Sequence, residues 1–309
     1  MKLIHFQGLN CYHDCMIALA NTFGLNYTAA FSGLWAEGRL RYDPICDVFL
    51  SMRLEEALED CGMKLDAPWI TKKERETGWA DTPAGDYIII GMDAFLIPWN
   101  PLCELLHGPH YFIVQKGISE THDCFDPTYG LDGQKLTTRD LIFNTYALIT
   151  IKMINKANSF IADKQDPLLN QSQEVLKTHP ETLRYLLKQA KVWMQESEKS
   201  VLLPAKYVDA LLTGRYLYRF FLKERNMTAS SAPLFFSRKY YEQWLTVKNG
   251  FYKAALSRQS SAAFNESCRL LTCLFEKEID MARQIISLES KDSNQTLKND
   301  RTAGKTDGW

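Results

Sequence analysis

Cys11-Tyr12-His13-Asp14-Cys15-Met16-Ile17-Ala18-Leu19-Ala20-Asn21-Thr22-Phe23-Gly24, preceded by Gln7-Gly8-Leu9-Asn10, decides how this 309-residue chain is read. Met16–Phe23 has helical spacing, with Cys15, Leu19 and Thr22 or Phe23 on one side. Cys11 therefore falls at the start of a helix. A thiolate there gains from the helix macrodipole and from backbone N–H groups that have no partner within the helix. The same N–H groups supply half an oxyanion hole, and Gln7 and Asn10 compete for the role of side-chain donor. Cys15 follows one turn later, inside the helix, where a thiol is ordinarily a small buried hydrophobe.

Further along the chain, His107-Gly108-Pro109-His110 is followed by the apolar run Tyr111-Phe112-Ile113-Val114. The run reads as a buried strand with His110 at its mouth. After a loop comes Cys124-Phe125-Asp126-Pro127-Thr128-Tyr129-Gly130. Strand, turn and strand put Asp126 on the neighbouring strand, level with His110, and Pro127 ends that strand because proline cannot donate to a ladder. A carboxylate so placed fixes an imidazole tautomer and stabilises the imidazolium. Cys11, His110 and Asp126 are thus the predicted catalytic residues. Two plainer readings compete. His107 and His110 can be metal ligands, joined by His13 or His122, but the intervening Gly-Pro opposes helical presentation and no acidic third ligand stands out, so no metal is expected. Asp126-Pro127 can be a simple turn, a reading that loses weight once His110 lies one hairpin upstream.

The chain divides by texture into an α+β first half and a helical second half. Strands are expected at Lys2–Phe6, Tyr87–Met92, Tyr111–Gln115 and Ala147–Met153, and a helix at Val48–Cys61 stopped by Gly62. Helices are then expected from Pro180 through Met194, from Pro204 through Phe220, over Arg238–Ser257 and over Ser261–Leu288. This gives a catalytic domain over 1–154, a linker near Asn155–Gln173, a helical domain over 174–288 and a disordered tail over 289–309, which lacks apolar periodicity. Charged residues make up 24% and the formal net charge is −1, so no global attraction to nucleic acid or anionic membrane is expected. The N-terminus is no signal peptide and no apolar run reaches the ~20 residues of a membrane span, which points to the cytoplasm. Eight scattered cysteines without a C-x-x-C pair read as reduced thiols.

Together the three elements resemble papain-like cysteine enzymes. Cys11–Gly24 looks like the nucleophile helix of the bacteriocin-leader cysteine peptidases, and HYFIV with CFDPTYG is similar to their His and Asp-Pro strands. Over roughly residues 5–153 the chain resembles more closely the N-terminal domain of the butirosin biosynthesis protein H family, through DYIIIGMDAFLIPWNPLCELLHGPHYFIVQKG (Asp86–Gly117). Gln7 stands closer to the cysteine than in papain-like peptidases. The resemblance implies a papain-like domain followed by a helical lid or docking domain. It also implies an acyltransferase of natural-product biosynthesis, which moves an acyl group from a carrier-protein thioester, through a Cys11 acyl-enzyme, to a small-molecule amine. Implied partners are an acyl or peptidyl carrier protein and the amine. No cofactor is bound directly, 4′-phosphopantetheine arriving on the carrier. Asp93 matches a family motif and either braces the loop over the site or contacts the amine, the brace being favoured. Pro98 and Trp99 are expected to give apolar cover over the sulfur, and His107 to support the site. Lys188, Lys191, Arg215, Arg219, Lys223, Arg225, Arg238 and Lys239 offer a face for an acidic carrier, or simply a solvated helix surface. A cysteine peptidase or amidase, and a catalytically silent scaffold, are the alternative functions.

Overall fold

The computed structural model describes residues 1–6, 8–38, 40–154, 167–197, 199–257 and 261–303, with side chains of the last helix as far as 288. The fold mixes helix and sheet. It divides into two compact units, one comprising Met1–Phe31 with Leu40–Phe160, the other Ser32–Arg39 with Ile161–Trp309.

The first unit opens with α1 (Cys11–Thr22), whose N-cap is Asn10 in extended backbone geometry. A two-stranded antiparallel ribbon follows, β1 (Leu40–Asp43) with β2 (Val48–Ser51), then α2 (Met52–Asp60). The main sheet has six antiparallel strands in the order β3-β8-β4-β5-β6-β7, where β3 is Met63–Leu65, β4 Tyr87–Asp93, β5 Pro109–Gln115, β6 Thr121–Asp126, β7 Leu131–Thr137 and β8 Thr145–Met153. Two helices complete the unit, α3 (Lys72–Asp81) and α4 (Thr138–Phe143). Central β4 and β5 are buried on both faces, which is why they read as continuous apolar runs rather than alternating ones. Ile88, Ile90, Met92, Phe112, Val114, Cys124 and Leu148 form the core on one face of the sheet, while α1 packs against β5.

Two expectations for this unit are corrected. Lys2–Phe6 is not a strand. It runs as a strap along α1, with the Lys2 N–H donating to Thr22 Oγ1 and the Asn21 amide donating to the Lys2 carbonyl, so its polar backbone is satisfied by a helix end rather than a sheet edge. Val48–Cys61 is not one helix. Val48–Ser51 pairs with β1 because Val48, Phe49 and Leu50 favour a pleated, half-buried surface, and Ser51 then caps α2 by accepting from Leu54 N–H. Cys61 and Gly62 follow α2, the glycine at φ +104 as its stop requires.

The second unit is helical: α5 (Pro167–Glu196), α6 (Leu203–Glu224), α7 (Pro233–Phe236), α8 (Arg238–Leu256) and α9 (Ser261–Ala303). Pro180 does not open a helix; it lies inside α5, whose buried Leu168, Val175, Leu186 and Ala190 keep one apolar stripe continuous through it. Helix thus begins at Pro167, inside the stretch read as linker; residues 155–166 of that stretch lie outside the described residues. The segment read as a tail from 289 is carried on α9 as far as Ala303, and 304–309 lie outside the described residues. Ser32–Arg39 belongs here because Trp35 is fully buried edge-on to Phe235, Tyr207 donates to the Gly38 carbonyl and Arg215 to the Glu37 carbonyl. Arg215 is itself fully buried in an ion pair with Glu278, as paired burial requires. It is therefore unavailable to the basic docking face expected from sequence. Among the described residues no helix is long and apolar enough to cross a membrane.

Candidate active site

α1, β5 and β6 bring the three predicted residues together within the first unit. Cys11 is the first residue of α1 and remains partly exposed. Across from it, the Tyr111 backbone N–H donates to Cys11 Sγ at 3.3 Å, and the Tyr12 and Tyr111 rings pack at 5.2 Å. The thiol is therefore fixed against the mouth of β5, where His110 sits. The β5–β6 register pairs Ile113 with Phe125, so one step further places Asp126 on the face of the sheet that carries His110. His110 Nε2 lies 2.7 Å from Asp126 Oδ2, which leaves Nδ1 as the ring nitrogen for Cys11. His110 is 5% exposed and Asp126 fully buried.

Burial alone would push the His110 imidazolium down. Its hydrogen bonds to Asp126 and to Cys11, with the negative charge on each, outweigh that and raise it from the ordinary 6.5 to about 9. The arrangement thus holds an imidazolium between a sulfur and a carboxylate, the constellation that activates a thiol for attack on a carbonyl. Because the folded value is the higher one, His110 stabilises the fold fully below pH 6.5, and this contribution fades as pH climbs through about 9. We expect the difference in unfolding free energy between the parent chain and Asp126→Asn to be largest near pH 6 and to shrink as pH climbs through about 9. Urea denaturation across that range measures it, and a difference independent of pH would exclude the ion pair.

Neighbouring side chains seal this pair. Trp99 Nε1 donates to Asp126 Oδ2 at 2.9 Å and its ring stands edge-on to Phe112. Tyr129 stacks on the His110 ring, with centroids 5.3 Å apart, and its N–H reaches Asp126 Oδ1 at 3.4 Å. Tyr146 Oη donates to the His110 carbonyl at 3.4 Å and Cys46 Sγ lies 3.7 Å from that hydroxyl. Gly91 of β4 fits between Tyr111 and Tyr146: a Cβ there would stand 2.7 Å and 2.5 Å from the two rings. We expect Gly91→Ala to cost about 1–3 kcal/mol through overpacking. Denaturation and the rate of Cys11 alkylation should both register it, since Tyr111 carries the N–H that faces Cys11.

Several expected roles change. Asn10 has a structural part at the start of α1. Its Oδ1 accepts the His13 N–H at 2.9 Å as a helix cap, and its Nδ2 faces His13 Nδ1 at 3.2 Å. His13 is buried, and that burial pushes it down to about 3, so it stays neutral and accepts from Asn10. Gln7 lies outside the described residues. Trp99 is a hydrogen-bond donor to Asp126 rather than a roof, and Pro98 beside it is exposed. Asp93 braces the loop between β4 and β5. Its Oδ1 accepts the Phe95 and Gly108 N–H groups and its Oδ2 meets His107 Nδ1 at 2.7 Å. Burial opposes this ionisation, but those bonds hold the Asp93 carboxyl below its usual range. His107 is largely exposed and stacks on Phe95. His107 and His110 therefore answer to different carboxylates, and among the described residues no three His, Cys, Asp or Glu side chains converge on a possible metal position.

Sequence reasoning also missed a second polar cluster. Asp14, one turn into α1, is fully buried, and its Oδ2 receives His5 Nδ1 and Thr128 Oγ1, both at 2.9 Å. Burial raises Asp14 to about 6, with the His5 charge and the Thr128 hydroxyl working against the rise. The signal in the sequence was an aspartate where an amphipathic helix should carry an apolar residue. Cys15, fully buried beside it, is pushed well above the usual thiol range by burial and then by the charge on Cys11.

No family model matches the chain, and no curated protein matches it. Among solved structures, the peptidase domain of Streptococcus ComA, a bifunctional ABC transporter involved in quorum sensing, is similar at a TM-score of 0.32 and 14% identity. That likeness covers 49% of this chain and 98% of that one.

Proposed function

We propose that the first unit is a papain-like cysteine enzyme and that its reaction is acyl transfer from a thioester to an amine. The observation that carries this reading is the His110 imidazole, bonded to buried Asp126 through Nε2 and raised to about 9 by Asp126 and Cys11 together. Cys11 Sγ attacks the thioester carbonyl. The backbone N–H groups at the start of α1 hold the oxyanion, and the leaving thiolate takes a proton from His110. The neutral His110 then accepts a proton from the amine as the amine attacks the acyl-enzyme. Exchange of one thioester for another is nearly isoenergetic, so the site has mainly to position its groups and exclude water. Trp99 and Tyr129 shield the His110–Asp126 bond from solvent and so keep that bond strong.

The preference for transfer over hydrolysis comes from the resemblance of Asp86–Gly117 to the butirosin biosynthesis protein H family. From the same source come an acyl or peptidyl carrier protein as donor and its 4′-phosphopantetheine arm as leaving group. Intact-mass spectrometry after incubation with acylated carrier proteins tests the proposal. An acyl adduct that maps to Cys11 is expected; no adduct from any thioester, with cleavage of a peptide instead, would replace transfer by proteolysis.

A further inference from the structure

Asp14, the fully buried carboxylate one turn into α1, takes no part in the acyl-transfer steps. It lies three residues after Cys11, so the two side chains leave the same side of the helix. An apolar residue there would pack α1 at lower cost, because a buried carboxylate offsets its desolvation only through the bonds it makes. Those bonds are directed. Asp14 Oδ2 accepts the Thr128 hydroxyl and meets His5 Nδ1, both at 2.9 Å. Thr128 belongs to the turn that closes the β6–β7 hairpin, where Asp126 pairs with Leu131, the Gly130 N–H donates to the Pro127 carbonyl and Gly130 has φ +64. The side chains of this turn are shared between two partners. Asp126 bonds His110 Nε2 at 2.7 Å and Tyr129 stacks on the same ring, while Thr128 reaches across to Asp14. The contacts close a ring: Cys11 to His110, His110 to Asp126, along the turn to Thr128, across to Asp14, and back through one turn of α1 to Cys11. The Asp14–Thr128 bond thus pins the end of the hairpin to the helix that carries the nucleophile.

We propose that Asp14 is a positioning residue for the Cys11–His110 pair, acting through Thr128 to hold the Asp126 turn against α1. The assignment rests on the reading of Cys11, His110 and Asp126 as the reacting groups, and it holds for transfer and hydrolysis alike. Asp14 touches neither the acyl group nor a moving proton. It narrows the positions open to Asp126, and so to the His110 ring, which keeps the imidazolium between sulfur and carboxylate. Loss of the tie weakens the bonds that raise His110 to about 9.

Two readouts on the full chain test this role. An NMR pH titration follows the His110 ring, assigned by the loss of its signal in His110→Gln, and iodoacetamide at near-neutral pH measures the reactivity of Cys11. Thr128 is only half-buried, so Thr128→Val removes the bond and keeps the shape of the side chain. The ionisable groups that face His110, namely Cys11, Asp126 and Tyr129, are unchanged in it. The His110 midpoint should fall by about one pH unit and Cys11 alkylation should slow about tenfold. Thr128→Ser, which keeps the hydroxyl, should restore both. Asp14→Ala should reproduce the Thr128→Val shift, and the two together should shift no further than either alone. A lower melting temperature for Thr128→Val, with the His110 midpoint and the alkylation rate of the parent, would make the bond structural only and overturn the assignment. A shift in Asp14→Ala that Thr128→Val lacks would make the charge of Asp14 responsible instead of its tie, and overturn it as well. If His110 of the parent titrates near the ordinary 6.5, the cysteine-enzyme reading itself falls and takes this inference with it.

Discussion

Replacing Cys11 by alanine should abolish adduct formation and lower turnover by about four orders of magnitude or more, and His110→Ala should do nearly the same. Both follow from one geometry. Cys11 is the first residue of α1, partly exposed and hydrogen-bonded by Tyr111, and His110 is the imidazole held between it and Asp126. Cys15→Ala is the informative contrast. Its sulfur is fully buried and its thiol lies well above the ordinary range, so the substitution should leave activity and cost about 1–2 kcal/mol of packing. His107→Ala is a second contrast, since His107 is mostly exposed and pairs with Asp93. Iodoacetamide at near-neutral pH, followed by peptide mapping, should label Cys11 ahead of Cys46, which burial pushes up to about 12. Labelling of Cys15 first, or full turnover by Cys11→Ala, would displace Cys11 from its role.

The second large effect concerns the acyl-enzyme. A transferase needs an intermediate that outlives water and yields to an amine, whereas a peptidase needs water to reach it. His110 and Asp126 are 5% and 0% exposed, with Trp99 and Tyr129 packed on their bond. A base so shielded activates only a nucleophile positioned beside the thioester. In a single-turnover experiment we expect the cognate amine to discharge the adduct about 100-fold faster than water does. Rapid hydrolysis, indifferent to every amine in a panel, would favour the hydrolase reading. Trp99→Phe sharpens the test by removing the Nε1 donor to Asp126 while keeping the apolar ring. It should slow formation and discharge of the adduct alike, because both steps use the same His110–Asp126 pair.

The chemistry-bearing residues were legible because each announces itself locally. Cys11 stands at the start of an amphipathic run, His110 opens an apolar run, and Asp126 is followed by a proline. Helix periodicity and strand composition act over a few residues, so they reach α1, β4, β5, β6 and β8, and in the second unit α6, α8 and the start of α9; α7 and the first turns of α5 carried no such signal. Pro180 shows the limit of that logic. Proline disfavours a helix interior by a few kcal/mol, yet burial along the rest of α5 outweighs it. Tertiary structure alone decided how the polar groups near the site were spent. Asn10 became a cap because the first N–H groups of a helix need acceptors. Lys2–Phe6 became a strap because the end of α1 offered its backbone partners. Asp14 met His5 and Thr128 from positions 9 residues before it and 114 after it. No local pattern encodes such a meeting: a buried carboxylate must find its partners in the finished fold, and their identity depends on which segments the fold brings alongside it.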